Sequence, residues 1–149
     1  MSLYANSTLS VKLQNKTIRA LVDSGSCVNC IKLGILKDNF PHIKISDKPH
    51  GVTFKGANDS HINCVGIAAI PIKFMEKTCI SDVYVFDDIG QSLILGRPFL
   101  IKHNVIVDYG RSTFAMHDHI VNDDVNDKDN DDNVGMINCN QPAEKADIV

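Results

Sequence analysis

The run Arg19-Ala20-Leu21-Val22-Asp23-Ser24-Gly25-Ser26 brings an apolar segment directly to a carboxylate, a hydroxyl and a glycine. Leu21 and Val22 need a core and Asp23 needs water or hydrogen-bond donors, so the junction belongs where a packed strand emerges into a cleft. Ser24 can fix the loop by hydrogen bonding, and Gly25 lets it turn back with dihedrals closed to other residues. In isolation the tripeptide also fits an ordinary strand-to-turn junction, because turns favour all three residues. The run occurs once. Water activation by a carboxylate pair needs two acids sharing one proton. This chain would have to find the second acid in another copy of itself, so a homodimer is expected.

Around that run the pattern is β. Leu9, Val11 and Leu13 alternate with Ser10, Lys12 and Gln14, and Asn15-Lys16 separates them from residues 17–22, which reads as a hairpin leading into Asp23. Residues 28–36 have room for a short helical turn, after which Pro41 and Pro49 keep the path irregular. Residues 52–55 and 61–74 flank Gly56-Ala57-Asn58-Asp59-Ser60, the composition of a projecting hairpin. In its second arm Ile62, Cys64, Gly66, Ala68 and Ile70 share one face. Residues 78–86 form the next strand. Leu93-Ile94-Leu95-Gly96 follows, then a short helix with Pro98 in its first turn, then a last hairpin around Tyr109-Gly110-Arg111. Short strands with one helix predict an all-β fold, a closed or partly closed barrel.

Length and charge set the domain reading. At 149 residues, 44% hydrophobic and 22% charged, the chain buries one core. Residues 1–117 carry 13 Lys+Arg against 9 Asp+Glu, whereas residues 118–149 carry 2 against 9. The first stretch reads as a single folded domain. The second, with seven Asp between 118 and 132 and no apolar periodicity, reads as a disordered acidic tail or linker. Asp127-Lys128-Asp129-Asn130-Asp131 echoes a calcium loop, but Asp132 and Asn138 stand where its glycine and bidentate Glu belong. No Lys/Arg cluster with interleaved aromatics supports nucleic-acid binding. No apolar run suits a signal peptide or a membrane span, so a cytoplasmic location away from membranes is expected. In that setting the five cysteines read as thiols, and Asn6, Asn15 and Asn58, each two residues before Ser or Thr, as turn residues.

About 70 residues after Asp23, Ile94-Leu95-Gly96 sets two large aliphatics and a glycine directly before the short helix. Together with the Asp23 run, this motif resembles the retropepsin family of aspartic peptidases, encoded by retroviruses and long-terminal-repeat retrotransposons. The similarity covers about residues 8–117. It implies Asp23 as the catalytic aspartate, Ser24 as a brace of the loop across a dimer, and Gly25 as the residue that shapes the loop. It also implies a flap tip at Lys55, Gly56, Ala57, Asn58 and Asp59, with Ser60, and structural roles for Leu95, Gly96 and Arg97. By the same resemblance the protein is a homodimer, needs no metal or organic cofactor, and cleaves a polypeptide, the polyprotein from which this segment derives. Two departures stand out. Cys27 and Val28 occupy places where retroviral members carry acidic residues, one of which pairs with the arginine of Gly-Arg, so Arg97 lacks its expected partner. The flap tip has a single glycine, Gly56, closer to retrotransposon variants.

A two-lobed aspartic peptidase would need a second Asp-Ser/Thr-Gly; Asp108-Tyr109-Gly110 is the near match, and its tyrosine leaves Asp108 as a hairpin residue. Cys27-Val28-Asn29-Cys30 has the spacing of a redox dithiol or half a zinc site. No second pair completes four ligands and no α/β pattern surrounds it, so it reads as two incidental thiols near the cleft, whose oxidation would modulate activity. His117 and His119 lack a third ligand. Two functions remain: an aspartic endopeptidase, or an inactive domain of the same fold kept for dimerisation or peptide binding. The undamaged Asp23-Ser24-Gly25 favours the first.

Overall fold

The computed structural model describes residues 8–56, 59–74, 76–108, 110–111 and 113–116, and the backbone of 138–140. The hairpin leading to Asp23 is built by β1 (Thr8–Leu13) and β2 (Lys16–Val22), paired antiparallel from Thr8↔Leu21 to Leu13↔Lys16. Its turn is Gln14-Asn15, one residue earlier than the sequence suggests, and Gln14 adopts φ 58°. A left-handed first position matches the twist of the flanking strands.

After the Asp23 loop come β3 (Cys30–Lys32) and α1 (Leu33–Asn39). The stretch expected as a short helical turn thus holds a strand and a seven-residue helix. Cys30 and Ile31 are fully buried in the barrel wall, and Leu36 anchors the helix to the core. The projecting hairpin is β4 (Thr53–Lys55) and β5 (His61–Ile62). β6 (Cys64–Phe74) and β7 (Lys77–Phe86) pair along almost their whole length. The predicted alternation of β6 is present, with Cys64, Ala68, Ile70, Ile72 and Phe74 buried. β8 (Leu93–Leu95), α2 (Arg97–Lys102), β9 (Val105–Asp108), β10 (Thr113–Met116) and β11 (Asn138–Asn140) complete the described elements.

Six strands close a barrel in the order β1-β2-β8-β3-β7-β6, shut by the Lys12↔Lys73 pair. The expected all-β barrel is therefore present, with two helices rather than one among the described residues. Its interior is filled by side chains such as Leu13, Ile31, Ile70, Phe74, Leu93 and Phe99. A second cluster, including Leu21, Val28, Phe54, Phe86 and Ile94, joins β4 to the barrel. Phe54 is its anchor, edge-on to Tyr84 and Phe86 with ring centroids 5.2 Å away in each case.

Outside the barrel β9 pairs with β10, and β4 is the middle strand of a sheet ordered β11-β4-β5. Asp108 is the hairpin residue expected, accepting the Arg111 N–H at 3.1 Å. Of the expected acidic tail, Asn138–Asn140 are described, and they form a strand on β4. The Asp-rich run at 118–132, like His117 and His119, lies outside the described residues. No helix among the described residues is long and apolar enough to cross a membrane.

Candidate active site

β2 and β3 are consecutive in the chain but not neighbours in the barrel. β8 lies between them, parallel to β2 through Val22↔Leu95 and antiparallel to β3 through Cys30↔Ile94. The loop of residues 23–29 therefore crosses the end of β8. The crossing is tightest at Gly96, where a Cβ would lie 2.4 Å from the Val28 carbonyl oxygen and 2.8 Å from that of Ser26. Only a residue without a side chain lets two backbones approach so closely. The Asp23 N–H donates to the Leu95 carbonyl at 3.0 Å and the Arg97 N–H to the Ser26 carbonyl at 2.9 Å, which stitches the loop to both sides of Gly96.

Within the loop, Asp23 Oδ1 accepts the Gly25 N–H at 2.9 Å, and the Asp23 carbonyl accepts the Ser26 N–H at 3.0 Å. The carboxylate is thus oriented by backbone two residues on, as in an Asx-turn. Ser26 is fully buried and its hydroxyl donates to the Val28 carbonyl at 2.7 Å. Asn29, also buried, accepts the Gly96 N–H on Oδ1 at 2.9 Å and donates from Nδ2 to the Asp82 carbonyl at 3.2 Å. Sequence reasoning passed over both residues. For Asn29 the available sign was its polarity between Val28 and Cys30, since a buried polar group must find partners, whereas Ser26 follows the polar Asp23-Ser24-Gly25 and carries no such sign.

Two expectations about this loop change. Gly25 is not in the left-handed region, where Gly51 at φ 82° is the described glycine; Gly25 instead presents its N–H to the carboxylate. Asp23, expected to open onto a cleft, is 3% exposed, while Ser24 beside it is exposed. The acid is closed in, one residue from the surface.

Lys55 ends β4, and beyond it the Gly56 N–H donates to the Ser60 carbonyl at 2.8 Å and the Asp59 N–H to the Gly56 carbonyl at 3.0 Å. Ala57 and Asn58 of the expected flap tip lie outside the described residues. A cavity of about 310 Å³ opens beside this hairpin, with Lys48, Thr53, Phe54, His61 and Asn63 in its wall. Leu95 is fully buried, whereas Arg97 is exposed at the start of α2 and makes no ion pair among the described residues.

The cysteine pair separates in role. Burial pushes the Cys30 thiol far up, so it is inert as a nucleophile. Cys27 is disulfide-bonded, which corrects the expectation of a thiol there, while Cys30, Cys64 and Cys79 are thiols. Cysteine number and compartment say nothing about which sulfurs the fold brings together. Among the described residues no group of three or more His, Cys, Asp or Glu is gathered to hold a metal ion.

Neither protein-family models nor curated proteins match the sequence. Solved structures do. The retroviral protease-like domain of Ddi1 from Leishmania major superposes with a TM-score of 0.62 at 14% identity, over 75% of this chain and 88% of that one. EIAV protease, solved with the inhibitor HBY-793, gives a TM-score of 0.53 at 17% identity, over 68% of this chain and 91% of that one. The fold is retropepsin-like, the class to which the spacing of Asp23-Ser24-Gly25 and Ile94-Leu95-Gly96 pointed.

Proposed function

We propose that this chain is an aspartic endopeptidase that works as a homodimer, each subunit supplying Asp23. The reading is carried by one observation: within a retropepsin-like fold, the lone Asp-Ser-Gly carboxylate ends β2 in a loop stitched to β8, oriented by the Gly25 N–H. Two such acids within hydrogen-bond reach repel each other when both are ionised, so one stays protonated. The ionised Asp23 takes a proton from a water that attacks the scissile carbonyl. Its protonated partner polarises that carbonyl and then protonates the leaving amine. Exposed Ser24 is suited to brace the loop across the dimer. Substrate lies extended between the β4–β5 flap and the barrel, adding its backbone to the flap in β fashion. The cavity beside Phe54 and His61 receives one of its side chains. Residues 1–117 are the catalytic unit and 118–149 an appended segment, and the substrate is a polypeptide, by resemblance the polyprotein of a retroelement.

A second reading, an inactive peptide-binding or dimerisation domain, is favoured by the 3% exposure of Asp23. The full chain assayed under reducing conditions at about pH 5, beside Asp23→Asn, separates the two. The endopeptidase reading expects turnover to fall by about 10³-fold in the variant while peptide binding survives. Peptide binding with no turnover in either protein leaves the inactive domain. Sedimentation should find a dimer, and activity in a strictly monomeric species contradicts the paired-acid mechanism.

A further inference from the structure

We infer that the outer barrel wall where β1 meets β6 is a docking surface for an acidic segment of a polypeptide, built on the cross-strand pair Lys12 and Lys73. What docking does for cleavage rests on the peptidase reading above; the docking itself does not. The strand register sets four exposed residues in one row across four neighbouring strands. Thr17↔Lys12 joins β2 to β1, Lys12↔Lys73 joins β1 to β6, and Lys73↔Thr78 joins β6 to β7. Lys12 stands between buried Val11 and Leu13, and Lys73 between buried Ile72 and Phe74, so both ammonium groups project from the outer wall. The row spans about 14 Å.

The pair is costly to the fold. Directly opposed side chains have Cβ atoms roughly 5 Å apart, and like charges at that separation repel. Neither lysine makes an ion pair among the described residues. The outward neighbours on the same strands are Ser10 on β1, Arg19 on β2, Pro71 on β6 and Ile80 on β7, and none is acidic. Arg19, which is opposite Ser10 and donates to Thr8 Oγ1 at 2.6 Å, adds a guanidinium on the diagonal from Lys12. Two more cations stand by the same end of β6. Lys77 is paired with Phe74, and Lys102 ends α2, whose Phe99 packs edge-on against Phe74 with centroids 5.6 Å apart. The carboxylate of that stretch is Glu76, beside Lys77 in the turn between β6 and β7.

An acidic peptide fits this surface in spacing and in chemistry. Alternate residues of an extended chain lie about 6.6 Å apart on one face, within reach of two flexible lysine stems whose roots are roughly 5 Å apart. Each carboxylate takes N–H groups from one ammonium and the hydroxyl of the threonine outside it, Thr17 or Thr78. Carboxylates seated on the pair also offset the repulsion across the seam, so binding tightens the closure of the barrel. Phosphates are drawn to the same charges, but the bases of a nucleic acid find no aromatic ring in the row or among its outward neighbours. The whole chain has a formal net charge of −3, so attraction of an acidic partner is a property of this surface and not of net charge. Thr17 lies six residues before Asp23, roughly 20 Å of extended chain, which keeps the docked segment well away from the bond being cut.

The test measures binding to the full chain of a labelled peptide with glutamate at alternate positions, beside the same peptide with glutamine. The glutamate peptide should bind about tenfold tighter or more, and the difference should collapse between about 50 and about 500 mM salt. Lys12→Glu separates docking from folding, because it gives Lys73 an opposite charge in place of a like one. Its urea midpoint should hold or rise while affinity for the glutamate peptide falls about tenfold or more, and Lys12→Arg should keep that affinity. Lys73→Glu should repeat both results. Amide exchange along β1 and the end of β6 should slow when the glutamate peptide is bound. Equal binding of the two peptides, unchanged affinity in both charge-reversed variants, or tighter binding of single-stranded RNA or phosphatidylserine vesicles than of the peptide overturns the proposal. Where Asp23-dependent cleavage is found, a substrate with glutamates about six or more residues from the scissile bond should have a KM about tenfold below that of its glutamine twin at similar kcat. Lys12→Glu should erase that advantage and cleave the glutamine twin as before; equal KM for both substrates overturns the role in docking substrate. If no form of the protein cleaves, the peptidase reading fails instead, and the binding measurements alone judge the docking surface.

Discussion

Gly96 is where two backbones cross, and nothing there can yield cheaply, because the atoms a side chain would meet are the main-chain oxygens of Ser26 and Val28. Gly96→Ala should destabilise the fold by about 3 kcal/mol, measured by urea unfolding, through overpacking against backbone. The glycine was legible in the sequence as part of Ile94-Leu95-Gly96. The reason for it was not, since Val28 and Ser26 approach it only across the fold. His103 sets a pH limit on the same molecule. Its ring packs tilted against Phe99, with centroids 4.6 Å apart, and its Nε2 is buried without a hydrogen-bond partner among the described residues. Burial first, then the charges of Lys102 and Lys77, hold its pKa below the usual histidine value. The unfolded chain therefore binds the proton more readily, so the stability is fully present above about pH 6.5 and is lost as pH falls through the folded value. The urea midpoint should be lower at about pH 5 than at about pH 7, and the difference should shrink in His103→Gln.

Among the elements, β6 and β7 were readable because each buries one face, which leaves a period of two in the sequence. β3 was not. Its three residues include two that are fully buried, so residues 28–36 carry no alternation to separate a strand from a helix. The projecting hairpin was recognised from its turn residues, but what holds it down is Phe54, fully packed between Tyr84 and Phe86. Phe54→Ala should cost about 3 kcal/mol and release the hairpin from the barrel. Hydrogen exchange would report this as protection lost over residues 53–62 while β6 and β7 keep theirs.

For the molecule as a whole, the proposed mechanism, with one Asp-Ser-Gly acid per chain, makes activity depend on association. A paired-acid enzyme should lose specific activity on dilution below the dissociation constant of its dimer, whereas an enzyme complete in one chain would not. Activity measured across a concentration series, beside sedimentation over the same range, checks this. The alternation of apolar residues, the single Asp23-Ser24-Gly25 junction and its spacing to Leu95-Gly96 were determined by the sequence itself, because pleat and glycine sterics act between near neighbours. Only the tertiary structure decided that β8 runs between β2 and β3, that Ser26 and Asn29 hold the Asp23 loop, that Cys27 is in a disulfide, and that Asn138–Asn140 lie along β4. Apart from the Ser26 hydroxyl on Val28, the strand and Asn29 contacts join residues far apart in the chain, each with a backbone group that every residue carries, so no local pattern of side chains encodes them.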